Sequence, residues 1–293
     1  MFIATLIAAD RLKAGDISNV LDRLRAAGCA PGEPVSLDEG VAVDLPFDKA
    51  PEAGRTAIDG TIAGIDTVVQ PAANRAKKLI VADMDSTMIT VECIDELADY
   101  AGIKAQIAEV TEAAMRGELD FAEALDARVA LLTGLGADAI DRCLAERVRL
   151  MPGARTLIRT MKAHGAHAIL VSGGFTRFAQ PVGAQIGFDR VIANELLIDG
   201  DALTGKVGKP IVDSSTKEET LLGAMNELGL DANATMAVGD GANDLAMIRR
   251  AGLGVAYHAK PVVAAAAGAR IDHGDLTALL YAQGYPRAEW VAD

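Results

Sequence analysis

Leu79-Ile80-Val81-Ala82-Asp83-Met84-Asp85-Ser86-Thr87 decides the fold of this 293-residue chain. The apolar run from Leu79 to Ala82 reads as a short buried strand, and two carboxylates follow it one residue apart. On an extended backbone, residues i and i+2 point the same way, so Asp83 and Asp85 crowd like charges at a strand end. A hard cation such as Mg²⁺, which prefers oxygen ligands, would compensate them. Ser86 and Thr87 suit a turn or a helix N-cap, where backbone N–H groups can hold an anion. The same residues also suit an ordinary polar turn before a capped helix. The rest of the chain decides between the two.

Three further strand ends answer the first. Ser172-Gly173-Gly174 follows the apolar run Ala168-Ile169-Leu170-Val171, giving a hydroxyl and two unhindered N–H groups suited to phosphate oxygens. Lys217 stands at the start of a predicted helix, where the macrodipole disfavours a cation, so an anion is a reason to keep it there. Gly239-Asp240-Gly241-Ala242-Asn243-Asp244 follows Met236-Ala237-Val238 and offers two acids and an amide, all hard oxygen donors. A dinucleotide fingerprint would need a third glycine where Asp244 stands. Predicted strands at 166–172, 190–194 and 235–239 alternate with predicted helices at 155–164, 175–186, 217–228 and 244–251. This alternation predicts an α/β fold with a doubly wound, mainly parallel sheet, whose ligands bind at the carboxyl ends of the strands.

Two segments stand apart. Residues 91–150 show helical periodicity at 94–101, 104–116, 121–132 and 138–147, with no clear strand. A helical insertion directly after the first strand end would lie over the site as a cap, about 92–150, that excludes water. Residues 1–72 read as β-α-β-β-α-β, an order that resembles the ACT-type ligand-binding domain. Residues 73–293 form the second expected domain.

Composition excludes several classes. Apolar residues make up 51% of the chain, enough for a large core, and the formal net charge is −13. Nucleic acid and anionic membranes select basic surfaces, so neither is an expected partner. No apolar run approaches the length of a membrane span. Cys29, Cys93 and Cys143 lack metal-type spacing and read as free thiols in a reducing cytoplasm.

Taken in order, Asp83-x-Asp85-x-Thr87, Ser172, Lys217 and Gly239-Asp240-x-x-Asn243-Asp244 resemble the haloacid dehalogenase superfamily of phosphatases over about residues 79–285. The closest likeness is to its phosphoserine phosphatases. It rests on Val91-Glu92, on the run from Thr111 through Met115 to Phe121, on Arg128-Val129 and on Ser172-Gly173-Gly174-Phe175.

The resemblance implies Asp83 as a nucleophile that forms an aspartyl-phosphate, and Asp85 as the acid and then the base. It implies Mg²⁺ held by the Asp83 carboxylate, the Asp85 backbone carbonyl and Asp240, with Asp244 supporting that shell. Ser172, the Gly173 N–H, Lys217 and Asn243 would hold the phosphoryl group. Arg128 would pair with the carboxylate of O-phospho-L-serine and Glu92 with its ammonium, while Met115 and Phe121 form an apolar wall. The implied reaction is the last step of serine biosynthesis, with room left for a homodimer. Two other readings stay open: a related phosphatase or phosphotransferase for another small phosphomonoester, and a non-catalytic amino-acid sensor centred on the N-terminal residues.

Overall fold

The computed structural model describes residues 1–116 and 118–292, and the Met115 side chain lies outside the described part. The chain opens with β1 (Phe2–Ala8), α1 (Ala14–Ala26), β2 (Ala30–Pro31), β3 (Val35–Asp38), β4 (Ala42–Asp48), α2 (Pro51–Ile58) and β5 (Ile65–Pro71). The strands form an antiparallel sheet in the order β2-β4-β1-β5, with β3 also on β4. Period-two alternation gives this sheet two buried faces. Leu6, Leu45 and Phe47 pack with Val20, Leu24 and Ile58 of the two helices. Ile7, Ala42 and Val68 point the other way and join the main core.

The second sheet begins at β6 (Leu79–Ala82). There follow α3 (Cys93–Ala101), α4 (Lys104–Met115), α5 (Phe121–Ala130), α6 (Asp138–Arg147) and α7 (Ala154–Ala163). Then come β7 (His167–Phe175), α8 (Thr176–Ile186), β8 (Arg190–Asn194), β9 (Leu196–Asp199), β10 (Ala202–Val207) and α9 (Ser214–Leu228). The chain ends with β11 (Thr235–Gly239), α10 (Leu245–Arg250), β12 (Leu253–Tyr257), α11 (Pro261–Ala266), β13 (Ala269–Ile271) and α12 (Ala278–Ala282). Six strands form a parallel sheet in the order β13-β12-β11-β6-β7-β8. β6 lies inside this sheet and is apolar at every position because both of its faces are covered. Ile80 and Ala82 enter one core, Leu79 and Val81 the other.

The expected doubly wound parallel sheet is thus present, and the expected helical stretch follows β6 as α3–α6. The structure differs from the sequence reading in several places: β2 adds a strand to the N-terminal order, β7 runs on to Phe175, α9 begins at Ser214, and β12, α11, β13 and α12 were not expected. A β-hairpin, β9–β10, follows β8. Its Leu203 N–H donates to Leu135 O and its Leu203 O accepts from Gly134 N–H, which braces the α5–α6 connection. The last expected helix begins at Leu245, because Ala242–Asp244 form a separate 3₁₀ turn that lets Asp244 fold back.

Candidate active site

The site is built where β6, β7 and β11 end side by side. The Asp83 N–H donates to Val238 O on β11, so the first residue after β6 is fixed to the middle of the sheet. Asp83 Oδ1 accepts from Met84 N–H at 2.8 Å and lies 2.7 Å from Lys217 Nζ. Lys217 Nζ also donates to Asp244 Oδ1 at 2.6 Å. Asp244 Oδ2 accepts from Gly241 N–H at 3.0 Å, so both oxygens of this fully buried carboxylate are engaged. One ammonium therefore serves two carboxylates in a place water does not reach.

These groups shift one another. Burial works against the Lys217 ammonium, but the Asp83 and Asp244 charges more than offset it and hold the lysine pKa above its usual value. Burial and the Asp83 charge push Asp244 above the carboxylate range, with Lys217 pulling the other way, because two carboxylates compete for one cation. Asp240 is pushed up to about 6 by burial and by the Asp83 and Glu92 charges, against Lys260 and Lys217. Asp85 is pushed up to about 7 by burial and by Glu92 and Asp83.

Asp83, Asp240 and Asp244 bring carboxylate oxygens within 4.8 Å of one another. The donor set is all oxygen, and the single Lys217 ammonium leaves it with excess negative charge. Both facts fit a hard metal cation. Asp240, unlike Asp244, forms no side-chain hydrogen bond or ion pair among the described residues, which leaves its oxygens free for a ligand.

The neighbouring loop comes from β7. Ser172 is fully buried, and its Oγ accepts from Gly174 N–H at 2.9 Å, leaving the hydroxyl proton free to be donated. Gly174 is required by a close approach: a Cβ there would stand 2.8 Å from Asp85 Oδ2 and 3.0 Å from Ser172 Oγ. Asn194, which the sequence reading passed over, donates through Nδ2 to Gly173 O and accepts the Val212 N–H at 2.7 Å. It ties the Ser-Gly-Gly loop to the segment leading into α9. Asp213 caps α9 by accepting the Thr216 N–H, which fixes where Lys217 leaves the helix.

A cavity of about 280 Å³ opens above these strand ends. Asp83, Asp85, Gly173, Asp240 and Asn243 line it from the sheet, and Glu92, Phe121 and Arg128 line it from the helical insertion. Of the residues singled out in the sequence, Ser172, Lys217 and Asp244 lie buried behind this lining. The expected contribution of Met115 falls on a side chain outside the described residues. Glu92 accepts the Ser86 Oγ–H at 2.7 Å, and the Asp85 carboxylate accepts the Cys93 N–H at 3.1 Å, so the start of α3 is tied to the Asp83–Thr87 turn. Arg128 Nε donates to Ala124 O one turn back. Burial lowers the Arg128 pKa, while Asp95 and Glu92 oppose that shift. Phe121 reaches over the sheet: a Cβ on Gly173 would lie 3.2 Å from its Cζ. Phe175 of the Ser172–Phe175 segment also lines the cavity, as do Lys260, Ile94 and Leu125, which were not singled out in the sequence.

Comparison with known proteins follows the same residues. Residues 80–249 match the haloacid dehalogenase-like hydrolases. The chain is 48% identical over 215 residues to phosphoserine phosphatase SerB2 of Mycobacterium tuberculosis, covering 73% of this chain and 52% of that one. It is 47% identical over 239 residues to phosphoserine phosphatase of Streptomyces coelicolor, covering 80% and 58%. This chain therefore spans little more than half the length of those two relatives. A probable phosphoserine phosphatase from Vibrio cholerae, in unliganded form, superposes with a TM-score of 0.79 at 32% identity, covering 98% of this chain and 88% of that one. On the family match and these likenesses, the chain belongs to the haloacid dehalogenase-like hydrolases.

Proposed function

We propose that this chain is a phosphoserine phosphatase, hydrolysing O-phospho-L-serine to L-serine and phosphate. One observation carries the reading. A single cavity is lined from the sheet by Asp83 and Asp85 and from the helical insertion by Glu92 and Arg128. The first pair suits a phosphomonoester and the second suits the ammonium and carboxylate of an amino acid. The phosphoserine phosphatase relatives support the same substrate.

Asp83 is the proposed nucleophile. Lys217 and the Met84 N–H hold its Oδ1, which fixes the carboxylate in place. Attack on phosphorus gives an aspartyl-phosphate and releases the seryl oxygen. Asp85 is the proposed acid: with a pKa near 7 it carries a proton for that leaving oxygen at neutral pH, and then takes one from the hydrolytic water. The free Ser172 hydroxyl, the Gly173 N–H, Lys217 and Asn243 are proposed to hold phosphoryl oxygens. Asp83, the Asp85 backbone carbonyl and Asp240 would hold Mg²⁺. Asp244, with both oxygens engaged, would order that shell from outside it. When bound, the ion supplies positive charge for the phosphoryl oxygens.

Residues 92–150 are proposed as a cap that closes over the substrate, supported by the reach of Phe121 to Gly173. Residues 73–293 would be the phosphatase unit. Residues 1–72 are proposed as an ACT-like unit, supported by the antiparallel β2-β4-β1-β5 sheet with two helices, in which β2 is one strand beyond the expected order. The buried free thiols support a reducing, cytoplasmic setting. The deciding experiment is phosphate release from a panel of phosphomonoesters with Mg²⁺. A clear preference for O-phospho-L-serine is expected, and preference for another phosphomonoester would displace this substrate.

A further inference from the structure

A charge problem remains at the cavity even with the proposed Mg²⁺, whose two charges would be matched by the Asp83 and Asp240 carboxylates. Four acidic side chains line it: Asp83, Asp85, Glu92 and Asp240. The chain as a whole carries −13, and the proposed substrate brings a phosphoryl dianion. Lys217 does not make up the deficit, because its ammonium sits 2.7 Å and 2.6 Å from two buried carboxylates. Arg128 faces the cavity from α5, beside the charges of Glu92 and Asp95.

Lys260 is different. It lines the same cavity and is exposed, and among the described residues its ammonium has no carboxylate within ion-pair distance. Its backbone places it on the sheet side. β12 is the parallel neighbour of β11, and the Lys260 N–H donates to Asp240 O at 3.1 Å. Pro261 follows as the first residue of α11, so the chain turns sharply at the cavity rim.

The loop that carries Lys260 is pinned at its base. His258, at φ +43°, donates its N–H to Ile271 O, and its ring Nε2 lies 2.9 Å from Gly274 O. Asp66 of β5 then accepts the backbone N–H groups of Asp272, His273 and Gly274. A buried carboxylate of the N-terminal sheet thus holds the loop on which His258 leans.

We propose that Lys260 is a specificity residue for the phosphoryl end of the substrate, supplying the unpaired positive charge that draws a phosphomonoester dianion to the Asp83 side of an acid-rich cavity. Asp66 acts through the 272–274 loop and His258 as a positioning residue for it. The inference rests on the phosphatase reading above and adds a residue on the phosphate side of the same site.

The test compares wild type with Lys260→Met and Lys260→Arg. O-phospho-L-serine and p-nitrophenyl phosphate serve as substrates and inorganic phosphate as inhibitor, at low salt and at about 0.5 M salt. Lys260→Met should raise both KM values and the phosphate Ki about tenfold at low salt with little change in kcat, and the difference should shrink at high salt. Lys260→Arg should restore most of the loss, and Asp66→Asn should reproduce part of it. An unchanged phosphate Ki in Lys260→Met overturns the proposal. So does a rise in KM for phosphoserine alone, which would assign Lys260 to the amino-acid end. Equal kcat losses in Met and Arg variants with unchanged KM would mean a structural role only and also overturn it. If wild type hydrolyses p-nitrophenyl phosphate but not phosphoserine, the substrate reading fails while the Lys260 comparison still decides on the other two probes. If wild type hydrolyses neither, calorimetric binding of inorganic phosphate to wild type and Lys260→Met decides it alone.

Discussion

The two walls of the cavity are made differently. On the sheet side, Asp83, Ser172, Lys217 and Asp244 are buried and tied to one another or to neighbouring amides by bonds of 2.6 to 3.0 Å. On the insertion side, Glu92 and Phe121 are exposed, and among the described residues Arg128 makes one side-chain hydrogen bond, to its own helix. Buried, bonded charges cannot be moved or exchanged cheaply, whereas exposed side chains on short helices can. On the proposed function, the difference would separate the chemistry, which needs fixed geometry, from substrate choice, which needs only complementary charge and shape.

The contrast can be broken most sharply at Asp83. Asp83→Asn should lower kcat for phosphoserine by on the order of 10⁴-fold, the scale of losing a nucleophile, with the fold intact by circular dichroism. Full activity in this variant would remove Asp83 from the chemistry. Lys217→Met should come next. It leaves Asp83 and Asp244 buried without a cation, a break that costs about 3–5 kcal/mol when uncompensated. Activity and Tm should fall together, and a variant that loses activity while keeping Tm would show that the pair is not a structural element.

Proton and metal linkage tests the same wall without mutation. Asp85 and Asp240, at about 7 and 6, hold protons in the folded chain where the unfolded chain, at 3.8, has released them. More protons on the folded state means that metal-free stability falls as pH rises from about 4 towards 7. Tm in chelator should therefore drop between about pH 5 and 7.5. Asp85→Asn should flatten that slope. Divalent metal should raise Tm most at the higher pH, since its ligands must first lose their protons. A Tm in chelator that is constant over this range would contradict the assignment.

On the insertion side, Arg128→Ala should raise KM for phosphoserine about 10–100-fold, the loss of a charge-assisted contact of about 1.5–3 kcal/mol. KM for an aryl phosphate lacking the carboxylate should change little, and equal changes would erase the proposed division between the walls. Phe121→Ala should have the smallest effect, a few-fold in kcat/KM. A larger loss than that of Arg128→Ala would mean that closure, not charge, dominates the insertion side.

How much of this could be read from the sequence depended on how local each signal was. Strands β6, β8 and β11 have the bounds expected from their apolar runs, because each run is bounded by polar turn residues. The four chemical segments are each short and contiguous, and strand ends are where such sheets bind ligands. Lys260 and Asn194 gave no such sign. Neither belongs to a recognisable motif, and the place of each at the site depends on which strands become neighbours, here β12 beside β11 and β8 beside β7. The β9–β10 hairpin did carry a local signal, Asp199-Gly200 between apolar runs, which is a recognised turn pair that went unused. The outward reach of Phe121 and the pinning of the 272–274 loop by Asp66 are tertiary contacts between distant segments, with no periodicity to betray them.

The inner position of β6 also bears on how the chain comes to exist. Its two partners are β7, which starts at His167, and β11, which starts at Thr235. A nascent chain leaving the ribosome presents α3 to α6, whose buried residues share the main core with later elements, before either partner of β6 is complete. Asp83 gains its anchor, the carbonyl of Val238, only after most of the protein has been made. Asp83 is thus among the last parts to find its place, and a chain cut short before β11 lacks the carbonyl that anchors it.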